Sequence, residues 1–191
     1  MNISCIIMAS GHSKRMGKNK LFLEFNNKKI FEYTLDLIKE VDFKEVILVS
    51  SYDEILKYGE NLGFKGVKNL NSEIGKSSSI HLGVNEVSEN LPMMFFVCDQ
   101  PLLSLDTVNK LIKAYNKNNL ITYPVINNRR GAPVIFPPEM KEELLSLKND
   151  QGGMLLVKDK NRNEVPIENE EDLVDIDTEE DYENLKENHE K

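Results

Sequence analysis

Apolar positions along the chain come in two alternating kinds of run. Unbroken apolar stretches at Ile3–Ala9, Val46–Ser50 and Met93–Cys98 have the pattern of strands buried on both faces. Between them, apolar residues recur every three or four positions, as at Ile30, Thr34, Leu37, Ile38 and Val41, which predicts a helix. Asp53–Leu62 reads as a short helix and Phe64–Leu70 as a weaker strand. Ser77–Glu89 predicts a helix with Ile80, Val84 and Val87 on one face. Ser104 is placed to cap a helix carrying Leu105, Val108, Leu111, Ile112 and Tyr115. Strand, helix and strand in this order predict right-handed parallel crossovers and a three-layer α/β/α sandwich with a mostly parallel sheet.

Beyond residue 120 the rhythm changes. Ile121–Ile126, an Asn127-Asn128 turn and Arg130–Phe136 predict a hairpin and thus a small antiparallel addition. Pro137-Pro138 opens a predicted helix reaching Leu147, and Met154–Lys158 a further one. Thr178-Glu179-Glu180-Asp181 resembles a capping box at the start of a last helix. With no internal repeat and no long linker, residues 1–191 are expected to form one domain.

Composition narrows the class. At 191 residues, 40% hydrophobic and 29% charged, the chain is ordinary for a globular protein. Its start lacks signal-peptide features and no apolar run reaches membrane-spanning length, so a cytoplasmic protein without membrane attachment is expected. Cys5 and Cys98 sit in strand-like runs and read as reduced core residues; His12, His81 and His189 are scattered and suggest no ligand cluster. The net charge of −8 is uneven. Residues 164–191 hold 13 acidic and two basic side chains, leaving the rest at +3. The acidic end reads as a solvated helical face, and the positive remainder suits an anionic small molecule. No basic stripe or binding motif points to nucleic acid.

The chemistry concentrates after the first strand. Met8 to Lys20 packs two glycines, the hydroxyls of Ser10 and Ser13, and the cations Lys14, Arg15, Lys18 and Lys20 into thirteen residues. A strand opening into such a loop is a phosphate cradle: glycine lets the backbone approach, amides form a nest, and cations neutralise charge. A lysine-rich surface turn fits the same residues. The loop is not a Walker A motif, because five residues separate Gly11 from Gly17 and Asn19 replaces the hydroxyl; nor does it supply the third glycine of a dinucleotide fingerprint. Asp99 follows the Met93–Cys98 strand, at the kind of strand end where open α/β sheets bind ligands, and suits Mg²⁺; it also suits a cap or turn. A second carboxylate is available from Asp175-Ile176-Asp177, alternating as on an extended segment with one side chain inward; these aspartates also suit the positive end of the helix that follows, though Thr178 already supplies its cap. Gly75-Lys76-Ser77-Ser78-Ser79 puts N–H groups and hydroxyls at a helix start, fitting a nucleotide or simple capping. Arg129-Arg130-Gly131-Ala132-Pro133 is either an acceptor contact or an exposed hairpin end.

Taken together, these segments resemble the nucleotidyltransferases of molybdenum cofactor maturation, with the cytidylyltransferase branch nearest. Met8–Lys20 resembles L-A-A-G-x-S-x-R-M-G-x-x-K, Cys98–Pro101 resembles G-D-Q-P, and Gly75–Gly83 resembles G-x-S-x-S-I-x-x-G. Arg130–Pro133 is similar to R-G-x-P, Asn149–Gly153 to G-D-Q-G-A, and Asp175–Asp181 to D-I-D-T-P-E-D. The resemblance implies a Rossmann-like fold and transfer of CMP from CTP to the terminal phosphate of a molybdopterin-type acceptor, with pyrophosphate leaving. It assigns Arg15 and Lys20 to the triphosphate, with Asp99 joining them in catalysis. Asp99 and Asp177 are assigned to Mg²⁺, Ala9, Ser10, Gly11 and Ser13 to the base and phosphate loop, and Ser77, Ser78 and Ser79 to the nucleotide. A molybdenum hydroxylase is the implied client.

Departures from the pattern bear on specificity. Ser10 stands where the branch has a second alanine and guanylyltransferases have glycine, which leans toward cytosine. His81 and Met154 stand where arginine is frequent, which bears on acceptor recognition; Cys98 for glycine and Glu179 for proline are structurally mild. The alternatives are a guanylyltransferase, a sugar- or alcohol-phosphate nucleotidyltransferase, and a non-catalytic cofactor chaperone. A glycosyltransferase would need a D-x-D that the Asp99 context lacks.

Overall fold

The computed structural model describes residues 2–11, 16–88, 90–158 and 162–189. Strand β1 (Ser4–Ala9) leads through the loop to a small hairpin, β2 (Glu24–Phe25) and β3 (Lys28–Lys29), and then to helix α1 (Ile30–Lys39). Next come β4 (Glu45–Ser50), α2 (Asp53–Asn61), β5 (Lys65–Lys68), α3 (Lys76–Glu86), β6 (Met93–Val97) and α4 (Leu105–Tyr115). The last third holds β7 (Ile121–Ile126), β8 (Arg129–Arg130), β9 (Val134–Phe136), α5 (Lys141–Leu145), β10 (Arg162–Pro166) and α6 (Glu179–His189).

The main sheet runs β10-β7-β9-β6-β1-β4-β5, with β8 paired to β7. Every neighbouring pair along that path is parallel except the two made by β9, and β8 also runs against β7, so the sheet is mostly parallel with two short reversed strands. Side-chain alternation splits the core in two. Cys5, Ile7, Met94 and Phe96 face one layer with α1, α2 and α4, whereas Ile6, Ile47, Val49, Met93 and Phe95 face the other with α3 and α5. This is the expected three-layer sandwich.

The chain winds from β1 outward through β4 and β5, then returns to the other side of β1 as β6. The order therefore reverses between β1 and β6, where a crevice opens beyond the carboxyl ends of the strands. Residues Ser10 and Asp99 continue the alternation of Ile6 and Phe95, which turns them toward the α3 face.

Several elements differ from the sequence reading. Arg130–Phe136 is two short strands, β8 and β9, broken by Gly131–Pro133, whose Ala132-Pro133 bond is cis. The helix expected from Pro137 to Leu147 is a 3₁₀ turn at Pro138–Met140 followed by the short α5. Met154–Lys158 contributes only to a 3₁₀ turn at Gly153–Leu156. The β2–β3 hairpin and β10 have no counterpart in the apolar pattern. Asn26 and Asn27 turn the former with φ of 45° and 63°, and the latter is a mostly polar edge strand.

Candidate active site

The loop after β1 is tied down at both ends. The Ser50 hydroxyl donates to the Ala9 carbonyl at 2.8 Å, and the Tyr52 hydroxyl donates to Gly11 at 2.9 Å. On return, Asn19 accepts the Leu21 N–H at 3.1 Å, opening a 3₁₀ turn over Lys20–Phe22. Leu21 then buries in the core and Phe22 packs edge-on against Tyr52, with ring centroids 5.3 Å apart. These anchors turn Lys20 inward, where it is only 9% exposed.

The Lys20 ammonium bridges two carboxylates far apart in sequence, Asp99 Oδ2 at 2.6 Å and Asp177 Oδ1 at 2.7 Å. Burial alone would lower its pKa, but the Asp99 charge and the bonds to both aspartates outweigh that and hold it above the usual lysine value. Asp177 arrives on an extended segment fixed by the Ile176 N–H, which donates to the Asp99 carbonyl at 2.9 Å. Ile176 is the inward residue of that segment, fully buried beside Phe25, Ile30 and Leu185, while Asp175 and Asp177 both line the cavity. Asp175 is exposed to solvent at the cavity wall, crowded by surrounding protein and next to Asp99. Desolvation first, then that neighbouring charge, push its carboxyl up to about 6 against an opposing hydrogen bond from Gln100 Nε2 at 2.9 Å.

These groups form one side of a cavity of about 770 Å³, ample for a nucleotide. Its floor is apolar, from Met8, Ile80, Phe95 and Val97. The opposite side carries Lys76 and Ser79 of α3, Arg130 and Gly131, and the Asp150–Leu155 turn. Gly75 allows the close approach of that turn: its φ is 119°, and a Cβ there would lie 2.6 Å from the Asn149 backbone. The Ser77 N–H donates to the Asn149 carbonyl at 3.0 Å, joining the turn to the start of α3.

The structure thus brings Ser10, Gly11, Lys20, Ser79, Asp99 and Asp177 to one cavity. Ala9 is buried beneath it, Ser77 is buried away from it, and Ser78 is engaged with the Gly75 carbonyl and Asn69. None of the three serines caps α3, whose cap residue is Gly75. Ser13 and Arg15 lie outside the described residues. Sequence reasoning did not assign Gln100, Lys76 or Asp150. Gln100 was legible only as the neighbour of Asp99, and Lys76 as the helix-spaced partner of Ser79.

The donor set fits a divalent cation. Asp99 Oδ1 is buried without a hydrogen-bond partner among the described residues, next to a cavity wall carrying two more carboxylates. Among the described residues no group of three or more His, Cys, Asp or Glu side chains is gathered to hold a metal ion, so any cation here would take most of its ligands from phosphate oxygens and water.

A mostly parallel α/β sheet whose switch-point crevice gathers Lys20, Asp99 and Asp177 is the arrangement in which open α/β sheets bind ligands. Residues 5–165 match the family model described as MobA-like NTP transferase domain, and the chain belongs to that family. It is 32% identical over 129 residues to a "Probable molybdenum cofactor guanylyltransferase" of Natranaerobius thermophilus, covering 66% of this chain and 62% of that protein. It is also 29% identical to a 2-C-methyl-D-erythritol 4-phosphate cytidylyltransferase of Caldanaerobacter subterraneus subsp. tengcongensis, covering 60% and 54%. The chain spans less than two thirds of the length of these relatives. Among solved structures, Rv0371c of Mycobacterium tuberculosis H37Rv superposes with a TM-score of 0.83 at 22% identity, covering 97% of both chains. Its manganese complex gives 0.82 at 21%, covering 99% of this chain and 100% of that one. Asp175 and Asp177 lie beyond the family match.

Proposed function

We propose that the protein transfers a nucleoside monophosphate from an NTP to a phosphorylated acceptor, with CTP as donor, a molybdopterin-type cofactor as acceptor and Mg²⁺ held by Asp99 and Asp177. The observation that carries this is the convergence of Lys20, Asp99 and Asp177 in the crevice between β1 and β6. In the reaction, an acceptor phosphate oxygen bonds to the α-phosphorus and the α–β bridging P–O bond breaks, releasing pyrophosphate. The acceptor phosphate is already ionised near neutral pH, so no general base is needed and none of the described groups is assigned that part. What the chain must supply is alignment and charge compensation.

Lys20 places a compact, nearly buried charge at the polyphosphate, and the loop from Ser10 and Gly11 brings backbone close to it. Bound Mg²⁺ adds Lewis-acid stabilisation of charge on the phosphoryl oxygens. Arg130 and Lys76 line the far side, where a second anion would enter; Arg130 stacks on Tyr123 with its guanidinium 5.5 Å from the ring centroid. Membership of a nucleotidyltransferase family supports the reaction class. The Ser10 side chain at the loop supports CTP, whereas the guanylyltransferase name of a relative supports GTP as a second reading.

The test is incubation with each NTP, Mg²⁺ and molybdopterin, followed by pyrophosphate release and mass identification of the dinucleotide. The cytosine product is expected, and Lys20→Met should lower turnover about 100-fold or more while the protein stays folded. A guanine product would transfer the assignment to the second reading. Absence of pyrophosphate release with every NTP and acceptor would leave the chaperone alternative standing.

A further inference from the structure

The two strips that carry Asp99 and Asp177 run antiparallel and are pinned at three levels. The Ile176 N–H donates to the Asp99 carbonyl at 2.9 Å, and Gln100 Nε2 donates to Asp175 at 2.9 Å. The third level is Asp172, whose Oδ2 accepts from the Ser104 hydroxyl at 2.5 Å and from the Thr107 hydroxyl. Its Oδ1 accepts from Asn169 Nδ2 at 2.8 Å. Asp172 is 1% exposed, so it is a buried carboxylate, and among the described residues its partners are side-chain donors.

A buried carboxylate is expensive unless paired and hydrogen-bonded. Helix α4 does not need this one as a cap, since the Ser104 hydroxyl already accepts the Thr107 N–H at 3.2 Å. What Asp172 does is fasten the acidic strip five residues before Asp177 to a helix that starts six residues after Asp99. Between Asp172 and the next pinned residue, Asp175, the strip is loosely held: Val174 is exposed, and Leu173 rests on Gly131.

We propose that Asp172 is a positioning residue that fixes how Asp177 is held against Asp99, and thereby sets the affinity of the pair for a divalent cation. This rests on the reading of Asp99 and Asp177 as metal-holding groups. Groups that orient metal ligands typically matter 10- to 100-fold for affinity, so the effect is measurable without catalysis.

The experiment titrates Mn²⁺ into the purified protein and reads unbound Mn²⁺ by electron paramagnetic resonance, with melts in metal-free buffer alongside. Asp172→Ala and Thr107→Val should weaken Mn²⁺ binding about tenfold or more, and Thr107→Ser, which keeps the hydroxyl, should restore it. If Asp172→Ala fails to fold, the two Thr107 variants decide. Lowered melts with Mn²⁺ affinity within twofold of the unaltered protein would make Asp172 merely structural and overturn the proposal. If Asp99→Ala also binds Mn²⁺ like the unaltered protein, or if that protein binds none, the metal reading itself falls.

Discussion

A lysine ammonium as enclosed as that of Lys20 persists only because two carboxylates repay its desolvation, and the same need ties three distant residues into one site. Asp99 was legible for a physical reason, since it follows the apolar run Met93–Cys98, whose end fixes where the polar residue must emerge; Lys20 was legible from the cation-rich loop and Asp177 from its alternation with Ile176. The serine run at 77–79 was less legible. A helix turns 100° per residue, so only Ser79, three after Lys76, shares its cavity-facing side. A different carboxylate shows how the sheet is secured at its opposite end. Glu45 at the start of β4 accepts from the Ser4 and Ser88 hydroxyls and from the Ser88 N–H. Burial pushes its pKa up, but those hydrogen bonds more than offset this and leave it below the ordinary carboxylate value. A depressed folded-state pKa contributes stability above the unfolded value, about 4.3, that is lost as pH falls through the folded value. Melts of Glu45→Gln and the unaltered protein should therefore differ most near neutrality and converge as pH falls below the depressed folded value. Curves that stay parallel across that range would remove the assigned role.

At the scale of elements, apolar pattern located the buried strands and failed where polar contacts do the pairing. Strand β10 is held by Asn163, which bonds Asn118 at 2.8 Å and Thr122 at 3.0 Å, and by Glu164, which accepts from Tyr123 at 2.8 Å. Nothing in its own run of residues announces a strand. The β7–β8 turn was legible because Asn127 and Asn128, with φ of 49° and 63°, are residues that tolerate left-handed backbone. Helix α3 shows what a glycine inside a helix can signal. A Cβ on Gly83 would lie 2.4 Å from Ile6 Cγ2 and 3.5 Å from Val49 Cγ2, so its absence lets α3 settle against β1 and β4 and brings Lys76 and Ser79 over the strand ends. The Ile6 methyl is β-branched in a buried strand and cannot swing clear without changing χ1. Gly83→Ala should gain about 1 kcal/mol of helix propensity but lose about 1–3 kcal/mol to overpacking. The net expectation is a lower urea midpoint with an unchanged slope. A midpoint at or above that of the unaltered protein would mean that the sheet and helix part freely at this point.

Across the whole molecule, the carboxyl-terminal strip closes over the amino-terminal loop, a long-range pairing that no local pattern reveals. Its charge makes the acidic tail a solvated face, and most of α6 is one, but a third small core forms beneath it from Phe25, Ile30, Ile176 and Leu185. Around that core Lys18 meets Glu179 at 2.8 Å, the Tyr182 hydroxyl donates to the Glu24 carbonyl at 2.6 Å, and Asn26 Nδ2 donates to the His189 carbonyl at 3.1 Å. Asp181 accepts the N–H groups of Asp177 and Thr178 at 3.0 and 2.7 Å, so the helix start also fixes the segment that ends in Asp177. Exposed ion pairs such as Lys18–Glu179 contribute little, typically under about 1 kcal/mol, which leaves the buried Leu185 as the main attachment. Leu185→Ala should cost about 2–4 kcal/mol of stability, since Phe25 and Ile30 are held from below and cannot collapse into the space. Because the same helix steadies Asp177, the variant should also need more Mn²⁺ for half-maximal turnover at a temperature where it is fully folded. Tyr182→Phe, which removes one exposed hydrogen bond, should change either quantity far less. A Leu185→Ala protein that melts and takes up Mn²⁺ like the unaltered one would show that α6 lies on the surface without holding the site.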